Sequence, residues 1–215
     1  MLRLTELFNV AAEVFFEEVS QAARVQCGSI AARAAAGQPN LDLEVWRVLM
    51  EDGARPLQFD RARAFIQLTT GLSLGFRKWI LEQASDFLLV APAQELSLPY
   101  DGQYELRDWR SEWAVSGALF YGPKMAALKT DPIWKHLSAF GLPWPPFEVG
   151  SRAGVANLIH SEAVRIGLLR SEFSPATRQS FKINLCEFRH RLSSSLKRWE
   201  SASSLSTADP PRPVP

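Results

Sequence analysis

The strongest constraint on this chain lies towards its C-terminal end, where Phe181, Leu185, Phe188, Leu192, Leu196 and Trp199 recur at steps of three and four residues. Side chains at those steps draw one apolar stripe along a helix. A lone helix of about 25 residues is marginal in water, so the stripe has to bury against another element. Ser174-Pro175 offers an N-cap followed by proline at the first helical position, which predicts a helix from 175 to 199. The opening of the chain repeats the pattern with Leu4, Leu7, Phe8, Ala11, Val14, Phe15, Val19 and Ala22. That predicts a first helix of about 25–30 residues. The run Ala31–Ala36 continues it or forms a second short piece, and Gly37-Gln38-Pro39-Asn40 ends it.

These two ends suit one another. Residues 1–60 hold five Arg against nine Asp and Glu, whereas residues 165–200 hold eight Lys and Arg against three Glu. If the last helix packs on the first, Glu6, Glu13, Glu17 and Glu18 face Arg189, Arg191, Lys197 and Arg198. Exposed pairs add at most about 1 kcal/mol each, so the apolar stripe decides stability and charge biases the pairing.

Between the ends, a short helix spans about Leu41 to Glu51. A longer one follows Asp60, with a seam of Phe65, Leu68, Leu72, Phe76, Trp79 and Ile80 running to about Ser85. Gly71 and Gly75 lie four apart on it. Arg77, Lys78 and Glu82 exclude a lipid setting, so the glycine pair predicts close approach of another element within the core.

From Pro92 the character changes. Trp109, Trp113, Trp134 and Trp144 fall among turn formers such as Asp101-Gly102, Gly122-Pro123 and Asp131-Pro132. Glu95–Leu98 and Tyr104–Leu106 alternate around Asp101-Gly102 and leave room for one small β-hairpin. A short helix is expected over Ile133–Phe140, and another over Ser161–Ile166, stopped by Gly167. Rings in so irregular a stretch are expected to be buried, because exposed ones would form an adhesive patch. The expected fold is mainly α. It has a helical body, an irregular aromatic-rich insertion over about 92–150 and at most a minor β part. One domain is expected over 1–200, with a disordered Ser/Pro-rich tail over 201–215.

The composition, 47% apolar and 22% charged, supplies a core and argues against bulk disorder. Cys27 and Cys186 make no disulfide framework and read as small buried hydrophobes. Acidic residues in the first helix argue against a secretory signal, and no uncharged apolar run reaches the ~20 residues that span a bilayer. The expectation is a protein working where it is made, without a membrane.

Catalytic patterns do not emerge. His136, His160 and His190 and the two cysteines have no CxxC or HExxH spacing, so neither metal nor cofactor is expected. Cys186 and His190 are one helical turn apart, but Cys186 beside the apolar seam reads as a buried thiol next to a surface histidine. No GxSxG elbow and no phosphate loop occurs. Two segments are candidate interaction elements. Leu142–Phe147, with Trp144, Pro145, Pro146 and Phe147 preceded by Trp134, is stiff enough to dock in an aromatic groove or to hold the chain against its own core. The basic last helix, with Arg189, Arg191, Lys197 and Arg198, is placed to touch phosphates or simply to form a solvated face.

A run of short segments carries a resemblance. In order they are the helix Thr69–Trp79, Pro92-Ala93-Gln94-Glu95-Leu96, Arg107–Trp113, Lys124–Trp134, Phe140–Phe147 and Glu162–Leu169. Over about Arg61–Leu169, roughly half the chain, they resemble the head-morphogenesis (minor capsid) proteins of tailed phages and prophages, the gpF-like group of Mu-type phages. Many of those proteins carry a Cys/His-containing ending after the Pro-rich piece, and others a Ser-Gly-Met turn. Here Phe147 leads into Glu148-Val149-Gly150-Ser151-Arg152-Ala153 instead. The resemblance implies a few-copy structural component acting by protein–protein contacts with the portal and inner capsid or scaffold proteins. It would sit in the host cytoplasm during assembly and then in the virion head, with packaged DNA as a further contact of the basic helix. The alternatives are a phage-encoded toxin or nuclease-type enzyme whose site assembles across the sequence, and a DNA-contacting accessory protein.

Overall fold

A computed structural model describes residues 4–53, 59–97, 109–115, 119–121, 124–151, 153–170 and 181–206. In chain order the elements are α1 (Leu4–Phe15), α2 (Gln21–Ala35), α3 (Leu41–Glu51), α4 (Phe59–Ala84), α5 (Phe87–Val90) and β1 (Ala93–Ser97), then α6 (Trp109–Val115), β2 (Leu119–Tyr121) and β3 (Lys124–Leu128). The chain continues through α7 (Ile133–Leu137), β4 (Gly154–Leu158), α8 (His160–Arg165) and α9 (Leu185–Ser206). The fold is mainly α with a small antiparallel sheet.

The expected single opening helix is two. The break is set by Ser20, whose hydroxyl accepts from the Ala23 N–H at 3.2 Å and caps α2. Asp52, just past α3, accepts from the Ser20 N–H at 2.7 Å and from its hydroxyl at 2.6 Å. A side chain that satisfies a helix start and is itself held from 32 residues away turns the chain, so α2 folds back along α1.

The last helix also differs in its ends. Phe181–Asn184 is not helical, and Asn184 supplies the cap, its side-chain oxygen accepting from the N–H groups of Cys186 and Glu187. The Ser174-Pro175 start lies outside the described residues. At the other end α9 runs through Ser206, beyond the expected boundary at 201. Glu200 pairs with Arg61 of α4 there, and the Ser201 and Ser203 hydroxyls bond back to the carbonyls of Lys197 and Trp199 at 2.9 Å. Residues 207–215 lie outside the described residues.

The main core joins α1, α2, α3, α4 and α9. Phe15, Phe16 and Phe65 meet edge to face around its centre, and Phe188, Leu192 and Leu196 bury the α9 stripe there. The stripe is buried, as its periodicity required, and α9 packs on α1. Of the charged partners considered for that joint Arg189 pairs with Glu13, while Arg191 and Arg198 pair with Glu187 and Glu148 instead.

The insertion is more regular than expected. Its strands form a four-stranded antiparallel sheet in the order β2-β3-β1-β4. The expected first hairpin arm is present as β1, but both its edges are taken, by β3 (Ala93 opposite Leu128) and by β4 (Ala93 opposite Leu158). The other expected arm, Tyr104–Leu106, lies outside the described residues. Side chains alternate between two cores as a pleat requires. Leu96, Met125 and Ala127 face the tryptophan core with Trp109, Trp113, Ile133, Trp134, Leu137 and Phe147. Ala93, Ala126 and Leu158 face a smaller core with Ala163 and Leu169. The four insertion tryptophans are each at most 2% exposed, as expected of rings in an irregular stretch.

Candidate functional site

The Pro-rich segment is a seam between the helical body and the sheet. A Cβ built on Gly71 would lie 3.1 Å from the Pro146 ring, and one built on Gly75 only 2.1 Å from the Pro145 carbonyl oxygen. The glycine pair therefore admits this loop against α4, the close approach their spacing implied. The Pro145–Pro146 peptide bond is cis. Trp144 packs among Phe76, Trp79 and Phe181 at ring separations of 5.2–5.6 Å. Phe147 points the other way and stacks on Trp134, which meets Trp113 edge to face and donates its indole N–H to the Leu128 carbonyl at 2.8 Å. Of the candidate docking residues, Trp134, Trp144 and Phe147 are buried and Pro145 and Pro146 half-buried. Their surface is spent on the chain's own cores.

The basic residues of α9 are divided. Arg189 serves the α1 joint. Arg198 donates from Nε and Nη2 to Glu148 at 2.9 and 2.7 Å, which neutralises a carboxylate that is 2% exposed. Arg191 reaches back one turn to Glu187 at 2.8 Å. Lys197 is exposed.

One ionic contact had no signal in the sequence. Lys129, after β3, donates to Glu82 of α4 at 2.8 Å, both side chains being buried, and the ammonium sits 4.5 Å from the centre of the Phe87 ring. Burial pushes Lys129 below the ordinary lysine range, and Glu82 works against that shift. No periodicity or spacing relates positions 82 and 129, so only the fold could pair them. The contact ties the helical body to the sheet.

Nucleophilic chemistry finds little support at the cysteines. Cys27 is fully buried, and burial pushes its thiol up to about 12, far from a reactive thiolate. Cys186 is exposed, not buried as its place beside the seam suggested. It lies in the first turn of α9, where Asn184 fixes its backbone, and the seam passes through Phe188 instead. Among the described residues no group of three or more His, Cys, Asp or Glu is placed to hold a metal ion. Likewise no described helix is long and apolar enough to cross a membrane.

What sequence spacing missed is a pair of clefts at the junction of α6, α7 and α9. One is lined by Lys135, His136, Phe181, Lys182, Glu187 and Arg191 among others. Its neighbour is lined by Glu112, His136, Ser194, His190, Arg191 and Arg198. His136 and His190, unrelated by any ligand spacing, thus come to one cleft together with a carboxylate. A separate surface is apolar. Leu74 and Leu81 sit two turns apart on an exposed face of α4, and Phe87, Leu89 and Val90 of α5 are exposed close by in sequence.

Comparison with protein-family models, with curated proteins and with solved structures finds no match to this chain.

Proposed function

We propose that this chain is a structural minor head protein of a tailed phage or prophage, associated with the portal and acting through protein–protein contacts during head assembly. The observation that supports the reading is where the resembling segments sit. Thr69–Trp79 holds Pro145 and Pro146 at its glycines. Within the sheet, β1 pairs with β3, and Trp109 and Trp113 share a core with Trp134 and Phe147. Ala163 and Leu169 close the opposite face of that sheet. Segments scattered over a hundred residues thus pack on one another through the α4 seam and the two faces of the sheet, which supports reading them together as one unit. The exposed apolar faces of α4 and α5, bordered by Arg77 and Lys78, offer the portal or an inner capsid protein a surface to cover. The protein then acts in the host cytoplasm and remains in the virion head.

Deletion of the gene from the phage or prophage that carries it tests this. Host lysis should persist while DNA-filled heads disappear. Normal filled heads from the deletion strain would remove the reading.

The cleft holding His136, His190 and Glu112 favours a second reading, a nuclease-type enzyme using the imidazoles as acid and base. Incubating labelled RNA and DNA with the purified protein, with and without divalent metal, separates the two. The structural reading requires no turnover that a His136→Gln or His190→Gln change abolishes.

A further inference from the structure

We propose that the paired clefts on either side of Arg191 bind the phosphodiester backbone of a nucleic acid. The assignment is independent of the head-assembly reading and distinguishes among the basic residues of α9.

The clefts share His136 and Arg191, so they are neighbours separated by a ridge of those two side chains. The first, about 270 Å³, brings Lys135, His136, Lys182 and Arg191 together against the single carboxylate of Glu187. The second brings His136, His190, Arg191 and Arg198 together against Glu112. Positive groups from α7, from the approach to α9 and from α9 itself thus converge on two adjacent hollows. A run of like charges along one exposed helix face would not do this.

The ridge is held in place. A Cβ built on Gly141, whose φ is +70°, would sit 3.5 Å from Arg191 Cζ, so the loop backbone lies against the guanidinium. Glu187 accepts from Arg191 Nε at 2.9 Å and pairs with Nη2 at 2.8 Å. Arg198 is held in the same way by Glu148. In each case one edge of the guanidinium is fixed by the protein, and the remaining N–H groups on Nη1 suit an incoming phosphate oxygen. Lys135 is steadied over the Phe181 ring at 4.6 Å.

The walls decide the class of partner. The exposed large apolar side chains of the described residues, from Val25 to Ile159, all lie outside both clefts. Half-buried Phe181 and Ile183 line the first cleft, but the second is walled by charged and polar side chains and Ala139. An acidic protein segment therefore finds an apolar anchor in one cleft only, whereas a phosphodiester backbone, which needs only spaced cations, suits both. Arg189 and Lys197 line neither cleft and are assigned no part.

Binding of fluorescent single-stranded DNA, double-stranded DNA, RNA and polyglutamate by the full chain, titrated with salt, tests the site. At least one nucleic acid should bind, with an affinity that falls linearly in log–log against salt. In K182Q/R191Q the slope should flatten by about one per phosphate contact removed, with affinity down roughly tenfold or more at low salt. K182Q alone, changing an exposed side chain, should give a smaller loss in the same direction. K197Q should bind like the parent, and all variants should melt like it. The proposal is overturned if no nucleic acid binds, if K182Q/R191Q binds as the parent does, if K197Q loses as much, or if polyglutamate binds as tightly.

Discussion

The Pro145 carbonyl oxygen occupies the place where a side chain on Gly75 would begin, 2.1 Å from a Cβ built there. No side-chain rotation relieves that contact, because the obstacle is backbone, and Trp144 closes the same space at 2.8 Å. Gly75→Ala is therefore expected to force the loop off α4 and to destabilise by about 1–3 kcal/mol, the usual cost of overpacking. Gly71→Ala meets the Pro146 ring at 3.1 Å and should cost less. Thermal melting of both variants checks this, and an unchanged transition for Gly75→Ala would show that the seam can open without penalty.

Trp134 carries the sheet core between Trp113 and Phe147. Trp134→Ala should cost about 3–5 kcal/mol by denaturant titration. A stable variant that fails only in head assembly would instead mark this ring as part of an interface.

Asp52 gives a pH signature. Its hydrogen bonds from Ser20 hold the carboxyl below its ordinary value near 3.8. A carboxylate whose folded pKa is depressed contributes stability at pH above the unfolded value, and that contribution fades as pH falls through the folded one. Asp52→Asn should thus lower the melting temperature at neutral pH and narrow its gap to the parent in acid. A gap that stays constant across the acid range would place the α1–α2 turn under other control.

The two thiols should differ sharply towards a maleimide. Cys186 is exposed and should label in the native protein, whereas Cys27, fully buried with its thiol pushed up to about 12, should label only on unfolding. Rapid native labelling of Cys27 would mean that the α1–α2 packing opens readily.

Deleting residues 181–206 removes Phe188, Leu192 and Leu196 from the main core. The truncated protein should be insoluble or melt far below the parent. A well-folded remainder would make α9 a docking arm.

The elements built on local chemistry were legible. Helical stripes and the Gly71–Gly75 approach follow from spacing, and burial of the four insertion tryptophans from the cost of exposing such rings. The α1–α9 joint was one way to bury the last stripe, and charge marked only its Glu13–Arg189 pair. Element ends were not. The turn at Ser20 depends on Asp52, and the start of α9 is fixed by Asn184 rather than by a proline. The sheet was harder still, because β1 alternates in the sequence while its partners do not lie beside it. Short, Ala-rich β3 and Gly-led β4 give little period to detect. The clefts at Arg191 were out of reach for a related reason. Their residues come from segments with no common spacing, and only the packing of α7 on the approach to α9 makes them neighbours.

The pairing of α1 with α9 has a consequence for synthesis. Glu13 and Arg189 are separated by 176 residues, so the strip of α1 that meets α9 stays uncovered until that whole stretch has left the ribosome. At about 5–20 residues per second that wait is roughly 10–35 s, long on the scale of hydrophobic collapse. During it α2 and α4 can already shelter much of α1, and what remains bare is the strip reserved for Phe188, Leu192 and Leu196. Nascent chains stalled before α9 emerges are then the species most exposed to aggregation, and yield in a host should follow elongation speed and chaperone supply more closely than the stability of the finished protein.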